Sequence, residues 1–129
     1  MSDTQSRTKI AEIGTVTVPV SDQDRAIAFY TGKLGFELRG DVPYGDGDRW
    51  VDVAPPGATT TIALVPPQQG QQVGVPTNIG LVTDDVDADH AQLREQGVDV
   101  DDVMRMGAPV PDMFFMRDQD GNTLFVVQR

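Results

Sequence analysis

One order of secondary-structure signals occurs twice in this sequence, and this internal repeat is the feature that most constrains the fold. In the first half, alternating apolar residues at 16–20 predict a strand, and residues 23–34 have the apolar spacing of an amphipathic helix. Asp22 precedes the helix and Gly35 follows it. An acidic residue favours the N-terminus of a helix and glycine favours its end, so the sequence signals both boundaries.

The second half repeats this order at the same spacing. Residues 79–84 predict a strand and residues 85–96 predict a weaker amphipathic helix. Asp84 and Gly97 are as far apart along the chain as their counterparts in the first half. Apolar patterning predicts three further strands in each half, at 36–42, 49–54, 60–65, 98–104, 113–117 and 123–127. The sequence therefore predicts an α+β fold made of two βαβββ modules.

The repeat also sets the domain organisation. We expect a flexible N-terminal tail at residues 1–9, a first βαβββ module at 10–66, a polar linker at 67–76 and a second module at 77–129. A chain of 129 residues has the usual size of one domain, so we expect the two modules to form one domain overall.

The charge and the apolar patterning exclude several functions. The net charge of −10 opposes binding to a phosphate backbone, so we expect no nucleic-acid partner. No apolar stretch approaches the length that a membrane span needs, so we expect no membrane partner. Residues 1–9 lack the apolar segment of a secretory signal, and we therefore expect a cytoplasmic protein.

The chain has no cysteine and a single histidine, His90. These counts exclude disulfides, cysteine-ligated metals, thiol nucleophiles and a two-histidine metal centre within one chain. Charged neighbours surround His90 in the predicted second helix, so we interpret it as a surface histidine on a solvated face.

Four segments carry a resemblance to a known family. They are Val-Ser-Asp at 20–22, Ala-Ile-Ala-Phe-Tyr-Thr-Gly-Lys-Leu-Gly-Phe at 26–36, Arg-Trp-Val-Asp-Val at 49–53 and Asp-Gln-Asp-Gly-Asn at 118–122. Together with the repeat, they resemble the vicinal oxygen chelate superfamily, which includes glyoxalase I, bleomycin-resistance proteins and extradiol dioxygenases. The resemblance covers residues 10–127 and implies that the modules form a cup-shaped mixed sheet holding a ligand or a metal.

In metal-dependent members of this superfamily, the ligands come from four strand positions, two in each module. The resemblance places them at Thr15, Ala63, Asn78 and Phe125. None of these side chains is a good metal ligand, since only the amide oxygen of Asn78 has weak donor character. We therefore expect neither a metal nor another cofactor, and no glyoxalase I or ring-cleaving activity, because both depend on that metal.

The resemblance also directs attention to side chains that face the inside of the cup. Trp50 and Asp52 are two residues apart in one predicted strand, so they share one face. If that face lines the cup, they suit a cationic or hydrogen-bonding ligand; otherwise the pair faces solvent or packs beneath the helix. The predicted ligand-binding residues are Thr15, Thr17, Trp50, Asp52, Ala63, Asn78, Met113 and Phe125. No catalytic residue is assigned.

Two arginines affect the charge of this predicted site. Strand alternation turns Arg49 away from the face of Trp50, whereas Arg117 could reach the mouth of the cup from the end of its strand.

These observations leave two functions open. The first is a metal-free small-molecule-binding protein, similar to the bleomycin-resistance branch, that holds an amphipathic aromatic or cationic ligand and confers antibiotic resistance. The alternative is a lyase, isomerase or dioxygenase-like enzyme that uses a carboxylate base, such as Asp52 or Glu12, or a non-standard metal site. We expect a homodimer, and the sequence leaves open whether the cup forms within one chain or between two.

Overall fold

A computed structural model describes residues 8–129 of the chain. In chain order its elements are β1 (Thr15–Pro19), α1 (Gln23–Gly32), β2 (Glu37–Tyr44), β3 (Asp48–Ala54), β4 (Thr61–Val65), β5 (Pro76–Thr83), α2 (Val86–Glu95), β6 (Asp99–Val100), β7 (Met113–Arg117) and β8 (Thr123–Gln128). This order confirms the predicted α+β fold with two βαβββ modules. The tail predicted at residues 1–9 falls mostly on residues 1–7, which lie outside the described residues.

Both helices begin and end as the sequence indicates, within a few residues. The side chain of Asp22 accepts a hydrogen bond of 3.1 Å from an amide in the first turn of α1, and Asp85 accepts one of 3.0 Å at the start of α2. These bonds satisfy amides that have no partner within the helix. Gly35 and Gly97 follow the helices with φ values of +75° and +82°. Glycine adopts this backbone conformation without steric cost.

The strands form two separate four-stranded sheets. The first sheet has the order β1-β4-β3-β2 and the second has the equivalent order β5-β8-β7-β6. In each sheet the first strand of the module pairs in parallel with the last, and the remaining neighbours are antiparallel. The repeat in the sequence is therefore a repeat of topology.

One apolar core joins the two modules. It contains the buried side chains of both helices and of the sheet faces that lie against them, including Val18, Ile62, Leu64, Phe114, Met116 and Leu124. Because the helix-side face of each sheet lies in this shared core, the opposite face of each sheet is turned away from it. We call these opposite faces the outer faces of the first and second sheets.

A polar network fixes the last hairpin of the second module to the first module. The hydroxyl of Tyr30 donates a hydrogen bond of 2.8 Å to the carboxylate of Asp118, which also accepts from the side-chain amide of Asn122. Asn122 donates in addition to the carbonyl of Pro19 and accepts from the amides of Gly74 and Val75. The side chains of Tyr30, Asp118 and Asn122 are buried, and their hydrogen bonds offset the cost of removing them from water.

Two strands and one histidine differ from the predictions. β2 continues to Tyr44 through Pro43, which an edge strand accepts because an edge backbone amide needs no partner. β6 is only Asp99–Val100, and Met104 contributes just an isolated bridge to Met113.

The prediction that His90 lies on a solvated face is wrong. The ring is half-buried edge-on against Phe114, with 5.0 Å between ring centroids, and its Nε2 donates a hydrogen bond of 2.8 Å to the carbonyl of Asp101. His90 lies one turn after Val86 and one turn before Leu93, both of which are buried, so it occupies the core-facing stripe of α2.

Neither helix within residues 8–129 has the length and apolar character that crossing a bilayer requires.

Candidate functional site

The outer face of the first sheet brings together five of the predicted residues. Trp50 and Asp52 are partly exposed while Val51 and Val53 of β3 are buried, so the pair shares the face turned away from the core. Ala63 of β4 pairs with Thr17 of β1 on one side and with Asp52 of β3 on the other. Thr15 lies two residues before Thr17 in β1 and therefore shares its face.

Small residues make room around Asp52 on this face. Gly40 stands opposite Asp52 in β2, and a Cβ atom added to it would lie 2.5 Å from the Asp52 Oδ1 atom. Ala63, on the other side, carries only a methyl group. Trp50 remains 37% exposed beside them.

Asp52 differs from most acidic residues of this chain in lacking a partner. Among residues 8–129, its carboxylate forms no hydrogen bond with another side chain or a backbone amide and no salt bridge. Nearby, Asp41 and Asp24 are both bound by Arg49. Asp52 is therefore a carboxylate with unused hydrogen-bond acceptors, next to an aromatic ring, on an open sheet face.

Threonine hydroxyls form a polar border along β1. The hydroxyls of Thr15 and Thr61 are 3.1 Å apart and hydrogen-bonded, and Thr17 is exposed. Hydroxyl groups both donate and accept, so this border suits a ligand with polar substituents.

The outer face of the second sheet is aromatic. Phe115 and Phe125 are directly opposite in β7 and β8, with ring centroids 5.9 Å apart at an angle of 59°. Gly80 stands opposite Phe125 in β5, and a Cβ atom there would lie 2.5 Å from the ring. The absence of a side chain at Gly80 lets the ring lie across the strand. Met113 is half-buried on the same face of β7 as Phe115.

Asn78 occupies a different setting from the other predicted residues. It lies where β5 departs from regular pairing with β8, and its φ of +61° is the left-handed conformation that asparagine tolerates better than most residues. With Gly80, Val16, Ile62 and the turn after β3, it lines a cavity of about 690 Å³. The other predicted residues do not line this cavity.

Two arginines near the predicted site are both held by pairs of aspartates. Arg49 forms salt bridges with Asp24 of α1 and with Asp41, which confirms that it points away from Trp50. Arg117 donates four hydrogen bonds of 2.7–3.2 Å to Asp99 and Asp101.

The ion pairs of Arg117 shift its own pKa and the pKa values of its two partners in opposite directions. The hydrogen bonds that Arg117 donates to Asp101 and then to Asp99 raise the pKa of Arg117, and the same bonds hold the pKa of each aspartate below its usual value. Arg117 is therefore positively charged, but its guanidinium is already bound by Asp99 and Asp101.

The structure thus divides the predicted site between the two outer faces and a cavity. Within residues 8–129, no hydrogen bond or aromatic contact joins the outer face of one sheet to that of the other. Sequence reasoning missed Gly40, Phe115, Gly80, Asp99 and Asp101 as parts of these faces. Phe115 follows Met113 by two residues, and this spacing could have indicated it; the two glycines needed the register between strands.

The residues at the four family metal positions do not fit a metal ion. Thr15, Ala63 and Phe125 offer no strong donor, and Asn78 offers an amide oxygen in an irregular part of β5. Across residues 8–129, no three histidine, aspartate or glutamate side chains converge in a way that could hold a metal ion. The outer faces can chemically provide aromatic contact, hydroxyl groups and the carboxylate of Asp52, which has no partner among residues 8–129.

Comparison with known proteins places this arrangement in a family. The sequence profile of the Glyoxalase/Bleomycin resistance protein/Dioxygenase superfamily matches residues 12–126. The chain is 39% identical to TnmS3, an antibiotic binding protein from Streptomyces sp. CB03234, over 95% of this chain and 98% of that structure, with a TM-score of 0.85. It is 36% identical to a superfamily member from Sphaerobacter thermophilus DSM 20745, over 95% and 100% of the two chains, with a TM-score of 0.89.

A relative from Bacillus subtilis extends the same pattern. The chain is 31% identical to the uncharacterized protein YetH of Bacillus subtilis (strain 168), over 91% of this chain and 98% of YetH. Profile, relatives and fold agree over nearly the whole sequence, and the chain belongs to the Glyoxalase/Bleomycin resistance protein/Dioxygenase superfamily.

Proposed function

We propose that this protein is a metal-free binding protein that holds a planar aromatic molecule, neutral or cationic, against Trp50 and Asp52. The observation that carries the proposal is the carboxylate of Asp52, which is partly exposed and has no partner among residues 8–129 while an aromatic ring lies beside it. A carboxylate and an indole ring together attract a cation, by charge and by the cation–π interaction. The missing side chain of Gly40 lets the Asp52 carboxylate lie over β2, and Ala63, with only a methyl group, leaves space for the ligand above β4.

The charges around the site also favour a cationic or neutral ligand over an anionic one. The chain carries a net charge of −10, and its field attracts cations and repels anions. Arg49 and Arg117 are each bound by two aspartates. An anion placed beside Asp52 would lose its hydration with no arginine released to replace it.

The similarity to TnmS3 supports a ligand of the antibiotic kind. TnmS3 is described as an antibiotic binding protein, and it shares 39% of its residues with this chain over almost the full length of both. We infer that the ligand of the present protein is an aromatic compound of the antibiotic kind, for which the hydroxyls of Thr15 and Thr17 provide hydrogen bonds.

The proposed site is completed by a second copy of the chain. Both outer faces are open, and apolar side chains on the β2–β3 hairpin remain exposed, with Val42 at 54% and Trp50 at 37%. We propose that the outer face of the first sheet of one protomer faces the outer face of the second sheet of its partner. A ligand would then lie between Trp50 and Asp52 on one side and Phe115 and Phe125 on the other.

Fluorescence of the single tryptophan tests the proposal directly. The two probes share one tricyclic ring system: 9-aminoacridine, which is cationic at neutral pH, and acridine-9-carboxylate, which is anionic. We expect the cation to quench Trp50 with an affinity at least about tenfold higher than the anion, and Asp52→Asn to remove most of this difference.

A matched variant separates a local effect from a change in overall charge. Glu95→Gln removes the same unit of charge from the exposed side of α2 and should leave both affinities within about twofold of the original. Tighter binding of the anion by the unmodified protein would contradict the proposal.

A carboxylate-dependent lyase or isomerase is the second candidate, since a carboxylate without a partner can also accept a proton from a substrate. This candidate is favoured only if a bound compound is converted and Asp52→Asn abolishes the conversion while binding persists. Recovery of the unchanged compound after prolonged incubation supports the binding protein.

A further inference from the structure

The charged cluster at the end of β7 lies beside the aromatic pair of the second sheet. Arg117 is on the same face of β7 as Phe115, two residues away, and the amide of Asp101 donates to the carbonyl of Phe115. Asp99 stands directly opposite Arg117 in the register of β6 and β7. The cluster therefore borders the outer face and is part of the surface that a ligand on Phe115 and Phe125 would meet.

Both aspartates bind the guanidinium through two oxygens each. Asp99 accepts from Nε and Nη2 at 3.0 and 2.9 Å, and Asp101 accepts from Nη1 and Nη2 at 3.2 and 2.7 Å. The forked geometry of arginine favours paired bonds of this kind, and a carboxylate ligand would need the same donors. Two carboxylates around one guanidinium leave a net charge of −1.

We propose that Asp99 and Asp101 determine the charge selectivity of the second sheet's outer face, because they occupy Arg117 and exclude anionic aromatic ligands from it. This inference deepens the proposed function and rests on it for the identity of the site. Without the two aspartates, an arginine on the same face as Phe115 and two residues from it would be a binding site for an aromatic anion. The specificity thus comes from a repulsive element as well as from the attraction at Asp52.

The test replaces both aspartates with their uncharged isosteres. In Asp99→Asn/Asp101→Asn, the ratio of 9-aminoacridine affinity to acridine-9-carboxylate affinity should fall at least about tenfold, chiefly through tighter binding of the anion. The binding is measured by fluorescence anisotropy of the probes, so that it does not depend on Trp50. Adding Arg117→Gln to this double variant should abolish the gained anion binding.

The chain offers a matched control for the change in charge. Arg105 is likewise bound by two aspartates, Asp87 of α2 and Asp112, on the helix side of the second sheet. Asp87→Asn/Asp112→Asn removes the same two charges, and we expect it to change the affinity ratio less than about threefold. An equal change in the two double variants would overturn the inference, because the effect would then come from net charge alone.

A single substitution guards against loss of folding in the double variant. Arg117→Gln alone leaves Asp99 and Asp101 without their cation, and it should raise the affinity for 9-aminoacridine about threefold or more. No change in this variant would also contradict the inference.

The outcomes distinguish the inference from the proposed function. If the unmodified protein binds neither probe but the Asp99→Asn/Asp101→Asn variant binds the anion, the inference stands and the proposed function fails. If the unmodified protein prefers the cation and the double variant keeps the same ratio, the inference fails and the proposed function stands. If neither protein binds either probe, both fail.

Discussion

At the scale of single residues, two glycines shape the faces that we assign to ligand binding. Gly40 leaves space beside the carboxylate of Asp52, and Gly80 leaves space under the ring of Phe125. Neither has a positive φ, so what matters at both positions is the missing Cβ atom and not backbone freedom. Each glycine is matched in the register by the side chain that uses its space.

Gly80→Ala is expected to destabilise the protein by about 1–3 kcal/mol, since the new methyl group would overlap the Phe125 ring and force it away from Phe115. Urea unfolding followed by circular dichroism measures the change. Gly32→Ala is the control, because a Cβ atom there has nothing within 4 Å. Equal stability of the two variants would show that the ring adapts without cost.

Asn122→Ala is expected to lower the free energy of unfolding by about 2–4 kcal/mol. The substitution leaves the carbonyl of Pro19 and the amides of Gly74 and Val75 without their buried partner. The same unfolding experiment measures it, with Gln92→Ala on the exposed side of α2 as control. A loss below about 1 kcal/mol would mean that water replaces the amide.

Residue patterns could predict which side chains of one strand share a face, but not which residues of a distant strand lie beside them. Alternation in one strand was sufficient to pair Trp50 with Asp52, since the period of a strand is fixed by its backbone. Gly40 and Asp99 belong to the candidate faces only through pairing with a distant strand, and register is set by tertiary packing. The left-handed conformation of Asn78 had no signal in the sequence for the same reason.

At the scale of elements, the turn between β7 and β8 connects the second module to the start of α1. Asp120 accepts hydrogen bonds from the backbone amide and the hydroxyl of Ser21, at 2.9 and 2.5 Å. Burial alone would raise the pKa of Asp120, but the bonds from Ser21 and Gln119 and the charge of Arg25 together hold it below the usual value.

Stability should therefore fall with pH where Asp120 becomes protonated. A carboxyl with a lowered pKa in the folded state contributes its full stabilisation above its unfolded pKa of 3.8 and loses it as the pH falls through the folded value. We expect Asp120→Asn to show a smaller decrease in melting temperature between pH 5 and acid pH below about 3 than the unmodified protein. If the melting temperatures of the two proteins fall equally between these pH values, Asp120 does not contribute to the loss of stability in acid.

The ends of the helices could be predicted because neighbouring residues in the sequence determine them. The ends of the strands could not be predicted reliably, because pairing with another strand determines them. The helix caps and the stopping glycines depend on neighbouring residues, and their positions agree with the sequence to within a few residues. β6 contains only Asp99 and Val100 at the sheet edge, where Asp99 and Asp101 form salt bridges with Arg117 of β7. Apolar patterning over 98–104 gave no sign of that ending.

At the scale of the whole molecule, the open outer faces lead to a prediction of assembly. We expect sedimentation equilibrium at tens of micromolar protein to give a mass of about 28 kDa, twice the 14.0 kDa of one chain. Trp50→Glu should shift this equilibrium toward the monomer, because it places a charge where the partner's aromatic face would lie. A monomer alone in the unmodified protein would contradict the shared site.

Elemental analysis gives an independent test of the metal-free proposal. Protein purified without chelators should carry substoichiometric nickel, zinc, iron and manganese, because the family positions hold Thr15, Ala63, Asn78 and Phe125. One equivalent of any of these metals that survives gel filtration and changes Trp50 fluorescence on removal would show a site that these residues do not explain.

The hydrogen bond between Tyr30 and Asp118 has a consequence for synthesis on the ribosome. Tyr30 is fully buried and belongs to the first helix, but its hydroxyl partner, Asp118, comes 88 residues later in the chain. While Asp118 is still inside the exit tunnel, the first module has emerged with that hydroxyl unpaired and part of its apolar surface uncovered. The first module therefore completes its interior only after the turn between β7 and β8 has emerged, and a nascent chain stalled before Asp118 should remain a substrate for chaperones and proteases.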